Sequence, residues 1–349
     1  MRYGAIAQNP VEAIILGAPN APTALLDTFL PLVQAQAIMA GVSLGVFEGL
    51  RAGAKTAAEL AEPLGLDADT LELVLRVLAC AGYVVPADDG YALTEVARNT
   101  LLADGPPGRV TAYVGLNAMA WDWIGRMNEV ARTGRGLDMH ATFTDSTQWA
   151  TYQAAMLETA RLYAPMVAEH VPIRPRARRL LDIAGSHGLY ASWLCRKHPP
   201  MRAEVLDLPE AVRQSRALAR AERIDDLVSH REGNALVDDL GCDYDAVFLG
   251  NILHHFTSEQ SLGLLGRIRR ALAADGTVAI WEIRRPARDA PPELVGDAFA
   301  LYFRLTSTAR CYTEAEYTQW LQEVGFADVT VQPTSFAPNQ VLVTGRALP

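Results

Sequence analysis

From residue 180 onward the chain alternates between two hydrophobic periods, and this alternation constrains the fold more than any other feature. "RLLDIAG" has the pattern of a strand and "LYASWLCRKH" that of a helix, and "AEVLDLP" is followed in the same way by "EAVRQSRALARAE". "YDAVFLGNIL" then precedes "SEQSLGLLGRIRRALA", and "DGTVAIWEI" comes before the later helix "TEAEYTQWLQEVG". Strands alternating with helices build a mostly parallel sheet with helices on both faces, so the expected fold class is α/β, doubly wound. "DVTVQPT" and "QVLVTGRA" lie close together near the end of the chain and predict an antiparallel hairpin at one sheet edge.

With 349 residues the chain exceeds the size at which one hydrophobic core stops growing, so a second domain is expected upstream of this pattern. Residues 22 to 50 carry apolar side chains at helical spacing, interrupted by Gly41 and Gly45. Thr56 and Glu59 form a capping box, Gly65 stops that helix, and Asp67 caps a second one through Leu71, Val74, Leu75 and Leu78. "GYVVPADDGYAL" reads as a hairpin with Asp89-Gly90 at its turn. Helix, turn, helix and hairpin make a winged-helix unit. Asp67, Asp69 and Glu72 against a single Arg76 give its second helix an anionic face that phosphates would repel, so packing or dimerisation is expected, not DNA binding.

The expected division is residues 1–105, a winged-helix domain, then 106–175, a helical segment, then 176–349, the alternating domain. The middle segment is rich in large side chains. Trp121, Tyr152 and Met156 there, with Phe299, Tyr302 and Phe303 at helical spacing further on, are candidates for the wall of an apolar pocket. "VPIRPRARR" reads as the linker into the last domain.

A net charge of −9 argues against a broad nucleic-acid interface. The four cysteines, Cys80, Cys195, Cys242 and Cys311, are far apart and form no C-x-x-C pair, which suits reduced thiols in a cytoplasmic protein and no zinc site. The N-terminus has no basic region followed by a long apolar one, and no apolar run is read as reaching membrane-spanning length.

In an open α/β sheet, ligands bind beyond the carboxyl ends of the strands. The first strand here ends at Asp182, followed by Ala184, Gly185, Ser186 and Gly188. The second ends in Asp207-Leu208, where a carboxylate can take both hydroxyls of a ribose. Next come Asn234, suited to an adenine edge, with Ala235, and then Gly250-Asn251 at the head of "GNILHHF". "AGSHGLYA" supplies neither the G-x-G-x-x-G of a dinucleotide site nor a P-loop lysine. An adenosine-type cofactor without phosphates and with an amino-acid tail fits better, and that description is S-adenosylmethionine.

Taken in order, "LLDIAGSHGLY", "EVLDLPEAV", "GNILHHFTSEQSLGLLGRIRRALAADGTVAIWE" and "TARCYTEAEYTQWLQEVGF" resemble the acetylserotonin/caffeate-type O-methyltransferases, most of all their bacterial small-molecule branch. The similarity covers residues 22 to 345. It implies a Rossmann-like class I methyltransferase with a doubly wound, mostly parallel seven-stranded sheet, and an N-terminal winged-helix domain that forms a homodimer. It further implies that Asp182, Gly185, Gly188, Asp207 and Asn234 surround S-adenosylmethionine. His254 would be the general base, with acidic partners at Glu282 and at Glu314 or Glu316. His255 is expected to face away from the site and pack.

The chain departs from the family pattern in three places. Ala184 and Ser186 stand where the fuller loop has glycine, and the turn is expected to survive if neither position needs a positive φ. Asn234 stands where aspartate is common, and "HHF" replaces "HDW". The expected activity is methyl transfer to a hydroxyl of a small aromatic acceptor. C- or N-methylation on the same scaffold, or a methyltransferase fold that has lost methyl transfer for decarboxylation or hydroxylation, are the alternatives.

Overall fold

The computed structural model describes residue 4 and residues 6–348 apart from 107 and 338. Contacts divide the chain into two units, Met1–Met119 and Ala120–Pro349. The first holds α1 (Pro10–Gly17), α2 (Thr23–Ser43), α3 (Val46–Gly49), α4 (Ala57–Leu64) and α5 (Ala68–Cys80), then β1 (Val84–Ala87), β2 (Gly90–Leu93) and α6 (Glu95–Thr100). The division itself falls within α7 (Thr111–Gly125).

Helix α4 opens on the expected capping box: Thr56 Oγ1 accepts from Glu59 N–H and the Glu59 carboxylate accepts from Thr56 N–H. Gly65, in the left-handed region at φ 65, stops it, and Asp67 caps α5 through Thr70 N–H. Phe47, Leu50, Leu60, Leu75 and Leu78 are fully buried in the core these helices share. The hairpin forms, but Ala87 pairs with Gly90, so its turn is Asp88-Asp89 and not Asp89-Gly90.

Helix α2 overturns one expectation. Its 21 residues include an 18-residue window with a mean hydropathy of 1.4, long and apolar enough by length and composition alone to cross a membrane. Reading Gly41 and Gly45 as interruptions hid this, since the helix continues through Gly41 to Ser43. Within its unit α2 leaves Leu25, Phe29, Leu30, Leu32 and Val33 exposed.

The second unit contains α8 (Met127–Thr133), α9 (Ser146–His170), β3 (Arg179–Ile183), α10 (Leu189–Lys197), β4 (Arg202–Asp207), α11 (Pro209–Ala221), β5 (Val228–Glu232) and β6 (Tyr244–Gly250). It continues with α12 (Ser258–Ala271), β7 (Leu272–Ile283), α13 (Leu294–Thr306), α14 (Glu314–Glu323), β8 (Phe326–Pro333) and β9 (Gln340–Ala347). Seven strands form one sheet in the order β5-β4-β3-β6-β7-β9-β8. β3 to β7 run parallel and the last two strands antiparallel, as expected. The sequence reading passed over β5, an edge strand with polar Ser229, His230, Arg231 and Glu232.

Period-two patterning decides which residue goes to which face. Leu180, Val205 and Phe248 point into a core with α9 and α10, while Leu181, Leu206 and Leu249 point into another with α12 and α14. The chain moves outward from β3 to β4 on one side and returns to β6 on the other. The switch point therefore lies between β3 and β6, where their carboxyl ends open a crevice.

Candidate active site

A cavity of about 300 Å³ occupies that crevice, a size for small molecules and not for a polymer. At one end it is lined by Asp182, Gly185, Ser186, Asp207, Leu208, Asn234, Ala235, Gly250 and Asn251. Asp207 ends β4 with its carboxylate already gripped: Ser186 N–H donates to Oδ2 at 2.9 Å and Leu208 N–H to Oδ1 at 2.8 Å. Each oxygen keeps a lone pair for a hydroxyl. Burial pushes the Asp207 carboxyl up to about 6, against the pull of those two backbone hydrogen bonds. Asp182 is 1 % exposed, and neither of its oxygens has a partner. Burial, and then the charge of Asp207, hold it well above the ordinary carboxylate range. Both groups take up protons more readily in the folded chain than in the unfolded one. They therefore cost stability as the pH rises above the ordinary carboxylate range, and for Asp207 that cost is complete above about 6.

The loop that joins β3 to α10 keeps its turn in a way the sequence reading did not foresee. Ala184 and Ser186 both have positive φ, 55° and 48°, as does Asn251 at 54°. The condition under which the two glycine replacements would be harmless is therefore not met, and each residue carries left-handed strain of about 1–2 kcal/mol. Packing holds the strained backbone in place. Ala184 N–H continues the ladder to Leu206 O at 2.8 Å, and His230 Nε2 donates to Ser186 O at 2.9 Å. Between the two strained residues stands Gly185, where a Cβ would lie 2.2 Å from the Asp182 carboxyl carbon. His187, buried, accepts from Leu189 N–H at 3.0 Å, and burial drives its imidazole down to about 4.

Four buried oxygens here lack a partner: both of Asp182, Ser186 Oγ and Asn251 Oδ1. Polar atoms left in this state are uncommon in folded proteins unless a ligand meets them. Three of the four are acceptors only and the fourth is a hydroxyl, a set that calls for donors such as an ammonium and sugar hydroxyls and repels phosphate. S-adenosylmethionine, which carries both kinds of donor and no phosphate, fits these residues.

The other end of the cavity is walled by α9. Trp149, Tyr152, Gln153, Met156 and Thr159 face it at helical spacing. Gln153 Nε2 donates to Ala211 O at 3.0 Å, fixing α9 to the start of α11. Asp138 and His140 arrive on the segment before α9, which lies along the carboxyl end of α13. Leu137 N–H donates to Leu305 O at 2.8 Å and Met139 N–H to Thr306 O at 3.2 Å. Gly136 makes that approach possible, since a Cβ there would stand 2.0 Å from Ser307 O.

Beyond β6 a 3-10 turn, Leu253–His255, presents two histidines. The Glu282 carboxylate on β7 is wholly buried and takes Leu253 N–H at 2.5 Å and the His254 Nδ1–H at 2.8 Å. That second bond fixes the tautomer and leaves the lone pair on His254 Nε2. Ser307 Oγ donates to His254 O at 2.8 Å, so the residue after α13 secures the histidine from the other side. His254 is 1 % exposed, with Phe303 and His255 packed on its ring at 3.9 and 4.3 Å between centroids.

Several expected site residues stand elsewhere. His255 lines the cavity instead of packing away from it, because successive residues of a 3-10 turn diverge by about 120° and not by the 180° of a strand. Glu314 lies 3.8 Å from Arg284, and Glu316 closes the capping box of α14 and pairs with Arg310; neither meets His254. Phe303 backs His254, with Tyr302 and Phe299 behind it, and none of the three lines the cavity. Trp121 does not line it either, nor does Gly188, which opens α10 at φ 74. The sequence reading missed His140, Asp138 and Ser307, which sit in irregular segments with no periodic signal.

Residues 127–327 match the model of the O-methyltransferase domain, and residues 26–103 match that of the O-methyltransferase dimerisation domain. A 3-hydroxy-5-methyl-1-naphthoate 3-O-methyltransferase of Streptomyces sahachiroi is 29% identical over 335 residues, 93% of this chain and 96% of the relative. A 3-amino-4-hydroxybenzoate 4-O-methyltransferase of Streptomyces cremeus is 27% identical over 74% of this chain and 72% of its own length. Human N-acetylserotonin methyltransferase, solved in complex with S-adenosylmethionine, superposes with a TM-score of 0.83 at 18% identity, over 95% of this chain and 99% of that one.

Two substitutions test the local geometry. Ala184→Gly should relieve left-handed strain and raise the unfolding free energy by about 1 kcal/mol in chemical denaturation. Gly136→Ala should force the segment carrying His140 off the end of α13 at a cost of about 1–3 kcal/mol, read in the same way.

Proposed function

Because the chain belongs to the O-methyltransferase family, we propose that it methylates a hydroxyl of a small aromatic acceptor with His254 as general base. It is an S-adenosylmethionine-dependent O-methyltransferase. One observation carries the finer reading: a buried carboxylate fixes the tautomer of a histidine beside a cavity whose far end offers unpartnered acceptors for the donor molecule.

Bound S-adenosylmethionine supplies a methyl group on a sulfonium, and the chain's residues bind and align. Asp207 takes the ribose hydroxyls, Asn234 the adenine edge, and Leu208 and Ala235 flank the base. Asp182, Asn251 and Ser186 meet the amino-acid end. A charged ammonium there would offset the burial that raises the Asp182 carboxyl. An acceptor phenol, with an ordinary pKa near 10, gives its proton to His254 Nε2 as the methyl moves, and the imidazolium is held against Glu282. Positioning supplies the remaining rate. His255, which lines the cavity, packs on the His254 ring at 4.3 Å between centroids. Trp149, Tyr152 and Met156 provide the flat apolar wall that an aromatic ring needs.

That His255 and not His254 lines the cavity favours a second reading, with His255 as the base. Among the described residues it has no carboxylate partner, and burial beside two other imidazoles holds it well below the ordinary histidine range, which makes it a weak base.

The N-terminal unit carries the dimerisation domain, and the exposed Leu25, Phe29, Leu30, Leu32 and Val33 of α2 support a homodimer in which a second copy covers them. On this reading α2 lies at a subunit interface of a cytoplasmic enzyme, which its exposed apolar side chains and the dimerisation-domain match support.

His254→Ala should lower turnover of an accepted phenol by about 10²- to 10⁴-fold while the calorimetric affinity for S-adenosylhomocysteine stays within twofold. A larger loss in His255→Ala than in His254→Ala would transfer the base role to His255. Asp207 must be ionised to accept two hydroxyls, so affinity for S-adenosylhomocysteine should fall as the pH drops through about 6. Asp207→Asn should weaken binding by about 10- to 100-fold at neutral pH and flatten that profile.

A further inference from the structure

The proposed chemistry uses His254 and leaves two other imidazoles of the same cluster without a task. His255 lines the cavity, its ring centroid 4.3 Å from that of His254 and 4.9 Å from that of His140. His140 stacks on Trp149 at 5.7 Å with 17° between planes and meets Tyr152 edge-on at 5.0 Å. Among the described residues no hydrogen bond reaches either ring. Asp138 Oδ1 stands 3.9 Å from His140 Nδ1, too far to accept. Burial is the first cause that lowers both imidazoles, His140 to about 4 and His255 further by the neighbouring His254 and His140. Both rings are therefore neutral at pH 7, and each carries one N–H donor and one lone pair.

We propose that His255 and His140 recognise a second oxygen of the acceptor, a neutral hydroxyl or carbonyl on the ring atom next to the hydroxyl that is methylated. This rests on the reading of the cavity as the site of an aromatic acceptor with His254 as its base. Adjacency follows from the spacing of the rings. The His254 and His255 rings lie 4.3 Å apart between centroids, so a group that meets His255 while its neighbour meets His254 is attached beside it. Neutrality follows from the wall. The described lining residues include no lysine or arginine, and Asp138 stands beside His140, so a carboxylate would find only uncharged rings and a like charge. Each ring in the wall can exchange a hydrogen bond with a donor or an acceptor of the ligand. Both rings are half-buried in the cavity wall, and a site that hydrogen-bonds a substrate group discriminates strongly against an analogue lacking it.

The test is calorimetric binding to the full chain saturated with S-adenosylhomocysteine, comparing 2,3-dihydroxynaphthalene, 2-naphthol and 3-hydroxy-2-naphthoate. The diol should bind about 10- to 100-fold more tightly than the other two. His255→Phe and His140→Phe should each reduce the preference over 2-naphthol to within threefold, with affinity for S-adenosylhomocysteine unchanged. His255→Gln, which keeps a donor and an acceptor, should restore most of it. Equal binding of diol and naphthol, a preference that survives both phenylalanine variants, or tightest binding of the naphthoate overturns the inference. Absence of binding by all three while S-adenosylhomocysteine still binds overturns it too and leaves the methyltransferase reading standing. Failure of S-adenosylhomocysteine itself to bind removes that reading along with the inference.

Discussion

Asp182 lies at the carboxyl end of the central strand, buried and without a hydrogen bond, and the cavity is organised around that unmet demand. A buried ionised carboxylate without partners costs several kcal/mol, so the folded chain favours its protonated form or a bound cation. The loop above it is shaped by the same group. Gly185 must have no side chain because the carboxylate occupies the space where a Cβ would be, and the flanking Ala184 and Ser186 are bent into the left-handed region. Strain and unpaired polarity thus sit within a few residues of each other, where a ligand can offset them.

The other end of the cavity is arranged differently, with His254 and Glu282 already paired. Glu282 receives two hydrogen bonds, His254 gives one side chain bond and accepts one at its carbonyl, and Ser307 joins that carbonyl to the end of α13. The same end of α13 receives the segment that carries His140. His254 and the segment that carries His140 are therefore held by a single helix terminus, so that a shift of α13 moves both. Gln153 and Met156 place α9 between this arrangement and the cofactor end, one by its bond to α11 and the other by lining the cavity.

Most of the sheet was legible because period-two and period-3.6 patterns survive wherever one face is buried. β5 was not, because an edge strand that carries Ser229, His230, Arg231 and Glu232 has little apolar signal. Asp182, Asp207, Asn234 and Asn251 were found because strand ends converge in any sheet of this topology. The acidic partner Glu282 was also found, but Glu314 was not distinguishable in sequence from a residue at a helix start that pairs with Arg284. His255 was misassigned for a geometric reason, since nothing in "ILHHF" announces that the strand has given way to a tight turn. The left-handed φ of Ala184 was equally hidden, because alanine gives no sign of the backbone it occupies.

The two ends of the cavity come from different kinds of chain. Strand ends and tight turns build one, and they cannot change without disturbing the sheet. Side chains on one face of α9, the stretch before its cap that carries Asp138 and His140, and the turn after α13 build the other. Such an enzyme is free to explore new chemistry on only one side. Mutations that reshape the acceptor wall leave the methyl-donor site intact, so a descendant could adopt a different aromatic partner in a few steps and keep the same reaction.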